Sequence, residues 1–327
     1  MRSFLYIVLF VLGYTSCIAQ EIHKRAVFLM GSDFELTVVA PDVGKADKYI
    51  SMAIEEIERI ENLISSWNPN SQTSLINTNA GIKAVTVDIE LYELVERALK
   101  ISKLTDGAFD ISYAAMDNLW KFNGTMDSIP TKEAIAAAIA KVGYRNIDLN
   151  STEQSVFLKY SGMKIAFGAL GKGYAADKAK ALLMTQGVTA GIINASGDIN
   201  TWGMQPNSMP WKVAITNPLD KNKAFALLPV QNSAVVTSGN YEKYVTYKGE
   251  RYSHIIDPRT GYPAKGMISA TVFAPKAELA DALATAVFVM GKEVGLNRIN
   301  QLPGVECIIV DNEGKIHTSD HIEIDKL

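Results

Sequence analysis

The stretch "ISATVFAPKAELADALATAVFVMG", residues 268–291, decides how this chain folds. Residues 268–275, "ISATVFAP", are a β-branched and aromatic run closed by Pro275, the signature of a strand. Residues 277–291, "AELADALATAVFVMG", are small and apolar with no Pro or Gly before Gly291, and read as a helix headed for the core. Asp281 and Thr285 stand four apart in that helix and so share one face. A buried carboxylate is costly unless a partner or a cation compensates it. Two readings of the pair stand side by side. In the first, Thr285 bonds its own helix backbone and Asp281 meets an Arg or a helix end. In the second, both offer oxygen to a hard cation, Mg²⁺ or Ca²⁺. Two protein ligands do not close a cage; they suit a Mg²⁺ that keeps waters and holds substrate phosphates.

Working outward, strand-like runs recur around a few long helices. "AVFLMGSDFELTVVA" (26–40) reads as a strand pair broken near Met30-Gly31-Ser32, and residues 43–65 as a long amphipathic helix. "SSWNPNSQTS" reads as a loop, and residues 88–105 and 131–143 as two more helices, the last stopped by Gly143. "SVFLKY" and "MKIAF" look like a hairpin around Ser161-Gly162, and "GYAADKAKALLMTQG" like a helix. "AGIINASGDI", "WKVAITNP", "SAVVTSG" and "YVTYKGERYSHII" are further strand runs, and "ECIIVDNEGKIHTS" a closing hairpin. Strands grouped in this way favour an α+β fold over a doubly wound sheet. Residues 25–325 read as a single domain.

The chain has 327 residues, 48% hydrophobic and 20% charged, with a formal net charge of −3. No basic stripe marks a nucleic-acid surface. Residues 1–19 carry Arg2, an apolar run from Phe4 to Leu12 and small residues after it, the layout of a secretory signal. Cleavage before Gln20 and lipoprotein processing at Cys17, which removes 1–16, both fit. Either route exports the protein to the periplasm; the second tethers it to a membrane by lipid. Cys307 then has no partner in the chain and lies in the apolar run "VECIIV", where it reads as core.

Several turns carry groups suited to chemistry. "FGALGKGYAADKA" (167–179) is a Gly-rich turn opening a helix, where backbone N–H groups can cradle phosphate beside Lys172. Its spacing is neither a P-loop nor a dinucleotide fingerprint, and a plain strand–helix turn is the alternative. "INASGDINTWG" (193–203) holds Ser196-Gly197-Asp198, and "TSGNYEKY" (237–244) is a second Ser-Gly turn. In "RYSHIIDPRTGYP" (251–263), His254 ends a strand before an Asp-Pro-Arg-Thr-Gly turn and is a candidate general base as well as an ordinary structural His. In "TDGAFDIS" (105–112), Phe109 stands between Asp106 and Asp110, either stacking on a ligand or filling the core at a helix end.

Taken together, "MGSDFELTV", "SSWNPNSQTSLIN", "TDGAFDIS", "GALGKGYAAD", "NASGDI", "TSGNYEKY", "HIIDPRTGYP" and "ADALATAVFVMG" resemble, in order, the ApbE-type FAD:protein FMN transferases, bacterial exported flavin transferases. The resemblance implies a T-fold-like α+β arrangement of two intimately packed lobes with FAD in the cleft between them. It implies Mg²⁺ (or Ca²⁺) on Asp281, Thr285 and the Ala169 carbonyl, and His254 as the base. It further implies flavin-nucleotide contacts by Met30, Trp67, Ala108, Phe109, Asp110, Ala166, Lys172, Ser238 and Ile256. The implied reaction moves FMN from FAD to a Thr or Ser hydroxyl of an acceptor protein and releases AMP. The implied acceptors are exported electron-transfer subunits with a Ser/Thr-Gly-Ala-Ser/Thr-like motif. Two rival readings keep the same residues: a Mg²⁺-dependent FAD pyrophosphatase giving FMN and AMP, and a non-enzymatic FAD-binding protein. Three positions depart from the family pattern: Ala166 stands where many members have Asp, Ser196 replaces a Gly, and Trp67 replaces a common Tyr.

Overall fold

The computed structural model describes residues 20–322 except 118, 123–125, 127, 218 and 219, so residues 1–19, read above as a secretory signal, and Cys17 lie outside the described residues. Among the described residues no helix is long and apolar enough to cross a membrane. Strands and helices are numbered in chain order. β1 (Glu21–Leu29) and β2 (Ser32–Ala40) form the expected hairpin. Its turn puts both Met30 (φ 50°) and Gly31 (φ 71°) in the left-handed region, the geometry that matches the twist of paired strands. The Met30 N–H donates to Glu61 Oε2 at 3.0 Å, which ties this turn to the first helix, α1 (Val43–Ile64).

The larger lobe is an eight-stranded sheet in the order β1-β2-β6-β7-β10-β13-β14-β15. Its members are β6 (Gly191–Ala195), β7 (Asp198–Trp202), β10 (Ala234–Gly239), β13 (Met267–Ala274), β14 (Glu306–Asp311) and β15 (Ile316–Thr318), all joined antiparallel. α1, α5 (Gly171–Thr185) and α6 (Ala277–Met290) pack together, with α6 against β10 and β13 and α7 (Lys292–Ile299) beside it. A hairpin of β8 (Trp211–Asn217) and β9 (Asp220–Val230) builds a separate apolar cluster in which Val213, Ile215, Ala226 and Val230 meet Val235 of β10. The smaller lobe holds α2 (Gln72–Thr78), α3 (Ile89–Leu104), α4 (Lys132–Ile139) and a short sheet, β3 (Val85–Thr86)–β5 (Ser155–Leu158)–β4 (Ile147–Asn150). One apolar core runs through both lobes, from Ile57 and Ile60 of α1 to Leu91 of α3 and Phe288 of α6. β11 (Tyr244–Tyr247) and β12 (Glu250–Ser253) make a detached hairpin.

Local expectations fail in three places. The Ser/Asn-rich loop after α1 is shorter than expected, because Ser71 caps a new helix by accepting from the Ser74 N–H at 2.9 Å. The helix expected over 131–143, α4, ends at Ile139, short of Gly143. "MKIAF" does not pair with "SVFLKY": β5 pairs with β4 instead. The backbone of 163–167 finds its partners elsewhere, for the Asn77 amide clamps both the N–H and the carbonyl of Ile165 at 2.7 and 2.9 Å. Cys307 is fully buried in β14, as its apolar run implied.

Candidate active site

Two adjoining cavities, about 500 and 370 Å³, form one cleft. They share Gly31, Ser32, Tyr113, Gly168, Lys172 and Lys243 as common walls. The larger cavity is lined by Ala108, Phe109, Asp110, Ala169, Lys172, Ser238, His254, Ile256, Asp281 and Thr285. The smaller holds Met30, Trp67 and Ala166. The candidate site residues therefore all face one cleft, although they come from seven separate segments of chain.

α6 points its buried face at the larger cavity. It begins at Ala277 without a side-chain cap from its own N-cap, Lys276. Asp177 of α5 supplies the cap, accepting from the Ala277 and Glu278 N–H groups at 3.0 Å each. α5 and α6 touch so closely that a Cβ on Gly173 would lie 2.2 Å from the Ala277 carbonyl oxygen. This approach lets the Gly173 N–H donate to Asp281 Oδ2 at 3.2 Å. Burial, with the Asp198 carboxylate nearby, pushes Asp281 up to about 7, against the pull of Lys172 and the Gly173 N–H. No Arg meets Asp281 among the described residues, but the Gly173 N–H belongs to the first turn of α5, so Asp281 does meet a helix end; the Thr285 hydroxyl turns to Ser238 Oγ at 3.3 Å rather than to its own helix. The helix end satisfies part of Asp281, and the same oxygens are also of the type a hard cation takes. The donors are a carboxylate, a hydroxyl and the backbone of Ala169, all oxygen, which suits Mg²⁺. The described residues hold no cluster of three His, Cys, Asp or Glu side chains that could bind a metal without help.

Lys172 sits in the first turn of α5 and pairs with Asp198, which the Ser196-Gly197 turn places at the head of β7. Burial works to lower the Lys172 pKa, but the Asp198 and Asp281 carboxylates outweigh it, so the ammonium stays charged. His254 is half-buried at the end of β12. Its Nδ1 lies 3.0 Å from the Lys243 carbonyl, an oxygen that can only accept, so Nδ1 carries the proton and Nε2 keeps a lone pair. Burial lowers the His254 pKa, the Lys243 carbonyl raises it, and the Lys243 and Lys172 charges lower it further; the net shift is downward.

Two candidates have structural duties as well. Both Asp110 oxygens are taken: Oδ1 accepts from the Ser112 N–H and Oγ at 2.8 and 2.6 Å, Oδ2 from the Tyr144 N–H at 2.6 Å. Phe109 belongs to the apolar core while edging the cavity. Trp67, by contrast, is 84% exposed, a flat surface at the rim. The sequence reading missed Phe28, 68% exposed on β1, and Tyr113 and Lys243 on the shared walls. An aromatic one turn after the "GAFD" stretch was the available signal for Tyr113.

The ApbE family model matches residues 30–309. A FAD:protein FMN transferase of Treponema pallidum is 32% identical, over 83% of this chain and 80% of that protein. One of Klebsiella pneumoniae is 31% identical over 89% of each. Among solved structures, the ApbE protein of Thermotoga maritima superposes with a TM-score of 0.85 at 31% identity, covering 92% of this chain and 97% of that one. The flavin transferase ApbE of Vibrio cholerae does so with 0.82 at 26% identity, over 92% and 98%. Fold and relatives together define an α+β enzyme of the transferase class. The chain belongs to the ApbE family.

Proposed function

We propose that this protein takes FMN from FAD and attaches it through a phosphoester to a Thr or Ser hydroxyl of an acceptor protein, releasing AMP. The observation that carries the reading is the convergence of three things in one cleft: His254 with the Nε2 lone pair left by its Nδ1 contact, a held ammonium at Lys172, and the oxygen pair Asp281 and Thr285. FAD is long enough to need both cavities, with the flavin, the adenine and the pyrophosphate divided between them. Met30, Trp67 and Phe28 offer apolar surface at the rim for its rings.

The chain's own groups account for the chemistry as follows. His254 Nε2 accepts the proton of the acceptor hydroxyl as that oxygen bonds to the FMN phosphorus. The bond from that phosphorus to the bridging oxygen breaks, and AMP leaves with the electron pair. Lys172, anchored by Asp198, faces the charge that gathers on the pyrophosphate oxygens. Mg²⁺ held by Asp281, Thr285 and Ala169 would supply Lewis-acid neutralisation of the same charge. Acceptors of the Ser/Thr-Gly-Ala-Ser/Thr type, exported electron-transfer subunits, belong to this proposal, as do export through residues 1–19 and periplasmic residence, with or without a lipid on Cys17.

The test is mass spectrometry of such an acceptor domain incubated with the protein, FAD and Mg²⁺. The expected result is an FMN mass on the acceptor Thr, absent with Asp281→Ala. Free FMN and AMP beside an unmodified acceptor would favour the pyrophosphatase, and intact FAD would leave only a binder.

A further inference from the structure

Tyr113 belongs to neither of the roles described so far. It lies in the short 3₁₀ segment Ile111–Met116, which the Ala166 N–H pins to the Gly-rich turn by donating to the Ile111 carbonyl at 2.9 Å. The side chain therefore reaches the wall shared by the two cavities, at the neck of the cleft. Opposite the hydroxyl is Gly168, where an added Cβ would sit 2.7 Å from Tyr113 Oη. The absence of a side chain at 168 is what leaves room for that oxygen. Yet the hydroxyl has no hydrogen-bond partner among the described residues. Tyr113 is half-buried and lines both cavities, so a donor there is open to whatever occupies the cleft. Burial, with the Asp117 and Asp281 carboxylates near, pushes the phenol up to about 12, so it keeps its proton as a donor.

We propose that Tyr113 is a substrate-binding residue whose hydroxyl donates a hydrogen bond to the pyrophosphate of the bound dinucleotide at the neck of the cleft. This rests on the transferase reading above, since a ligand spanning both cavities must pass its linker through that neck. Lys172 and Lys243 line the same neck, so an anion there meets two cations and one neutral donor. The phenol adds direction where the ammonium groups add charge.

The test is calorimetric titration of FAD and of riboflavin, which lacks the pyrophosphate, into wild-type protein and Tyr113→Phe. The substitution keeps the ring, and equal melting temperatures confirm an intact fold. Expected is a loss of FAD affinity of about tenfold or more, the usual effect of losing a hydrogen bond to a charged group, with riboflavin affinity unchanged. FAD affinity within about twofold of wild type overturns the proposal, as does an equal loss for both ligands. A second variant probes the contact from the other side. Gly168→Ala should weaken FAD binding in the wild-type background and cost clearly less in Tyr113→Phe; equal costs in both overturn the pairing. Wild-type protein that binds no FAD would remove the transferase reading itself, and this proposal with it.

Discussion

At the scale of single residues, His254 has the most legible chemistry. A base works in its neutral form, so a lowered pKa extends activity towards acid. The acid limb of the pH–rate profile is expected below the ordinary histidine value of 6.5. Lys243→Gln removes one of the positive charges that hold the pKa down, and should move that limb to higher pH; a limb that stays in place counts against His254 as the titrating base. Asp281 supports a separate prediction that needs no turnover. Millimolar Mg²⁺ should raise the melting temperature of the wild type, because a ligand bound only to the native state stabilises it by about 2.7 kcal/mol at a hundredfold excess over Kd. Asp281→Asn should melt at the same temperature with or without Mg²⁺, and a retained Mg²⁺ shift would place the cation elsewhere.

At the scale of elements, the α5–α6 contact sets the site. Asp177 and Gly173 lie four apart on one face of α5; the first caps α6 and the second lets α6 approach. Asp177→Ala leaves two helix N–H groups without their partner. A cost of about 1–2 kcal/mol is expected, seen as a melting temperature lower by a few degrees. Gly173→Ala should cost more, since the intruding Cβ meets backbone and not a side chain that can move aside. Thermal melts of both rank them, and the reverse order would mean that the capping bonds matter more than the close approach. The "MKIAF" stretch belongs to this scale too. Its apolar pattern is strand-like, but Asn77, far away in sequence, took its backbone bonds. No local rule carries that information.

At the scale of the molecule, the lobes are tied by Glu90 of α3. It accepts from Arg59 of α1 at 2.7 and 3.1 Å and from Tyr174 of α5 at 2.7 Å, and pairs with Lys178 at 3.0 Å. Burial alone would raise its pKa; the bonds from Arg59, Tyr174 and Lys178 prevail and hold it at about 2. A depressed carboxylate adds stability that is present above its unfolded value of 4.5 and is lost as pH falls towards 2. Chemical denaturation across that window should therefore show a shallower acid loss for Glu90→Gln than for the wild type. Identical slopes would mean that the tie is not formed in solution.

Sequence alone determined the elements whose reasons are local: the 22-residue amphipathic α1, the Met30-Gly31 turn, the buried character of α6. It also singled out the candidate site residues Lys172, His254, Asp281 and Thr285, because polar groups in apolar or Gly-rich surroundings are conspicuous wherever they occur. What it could not determine is which groups face each other. The packing of α6 on β10 brings Thr285 to Ser238, and the 3₁₀ segment carries Tyr113 to Gly168. Nor could it show that Asp110 spends both oxygens on the backbone and on Ser112. Periodicity is written within a few turns of chain, whereas partners are chosen by packing among segments far apart in sequence, and only the folded core fixes that choice.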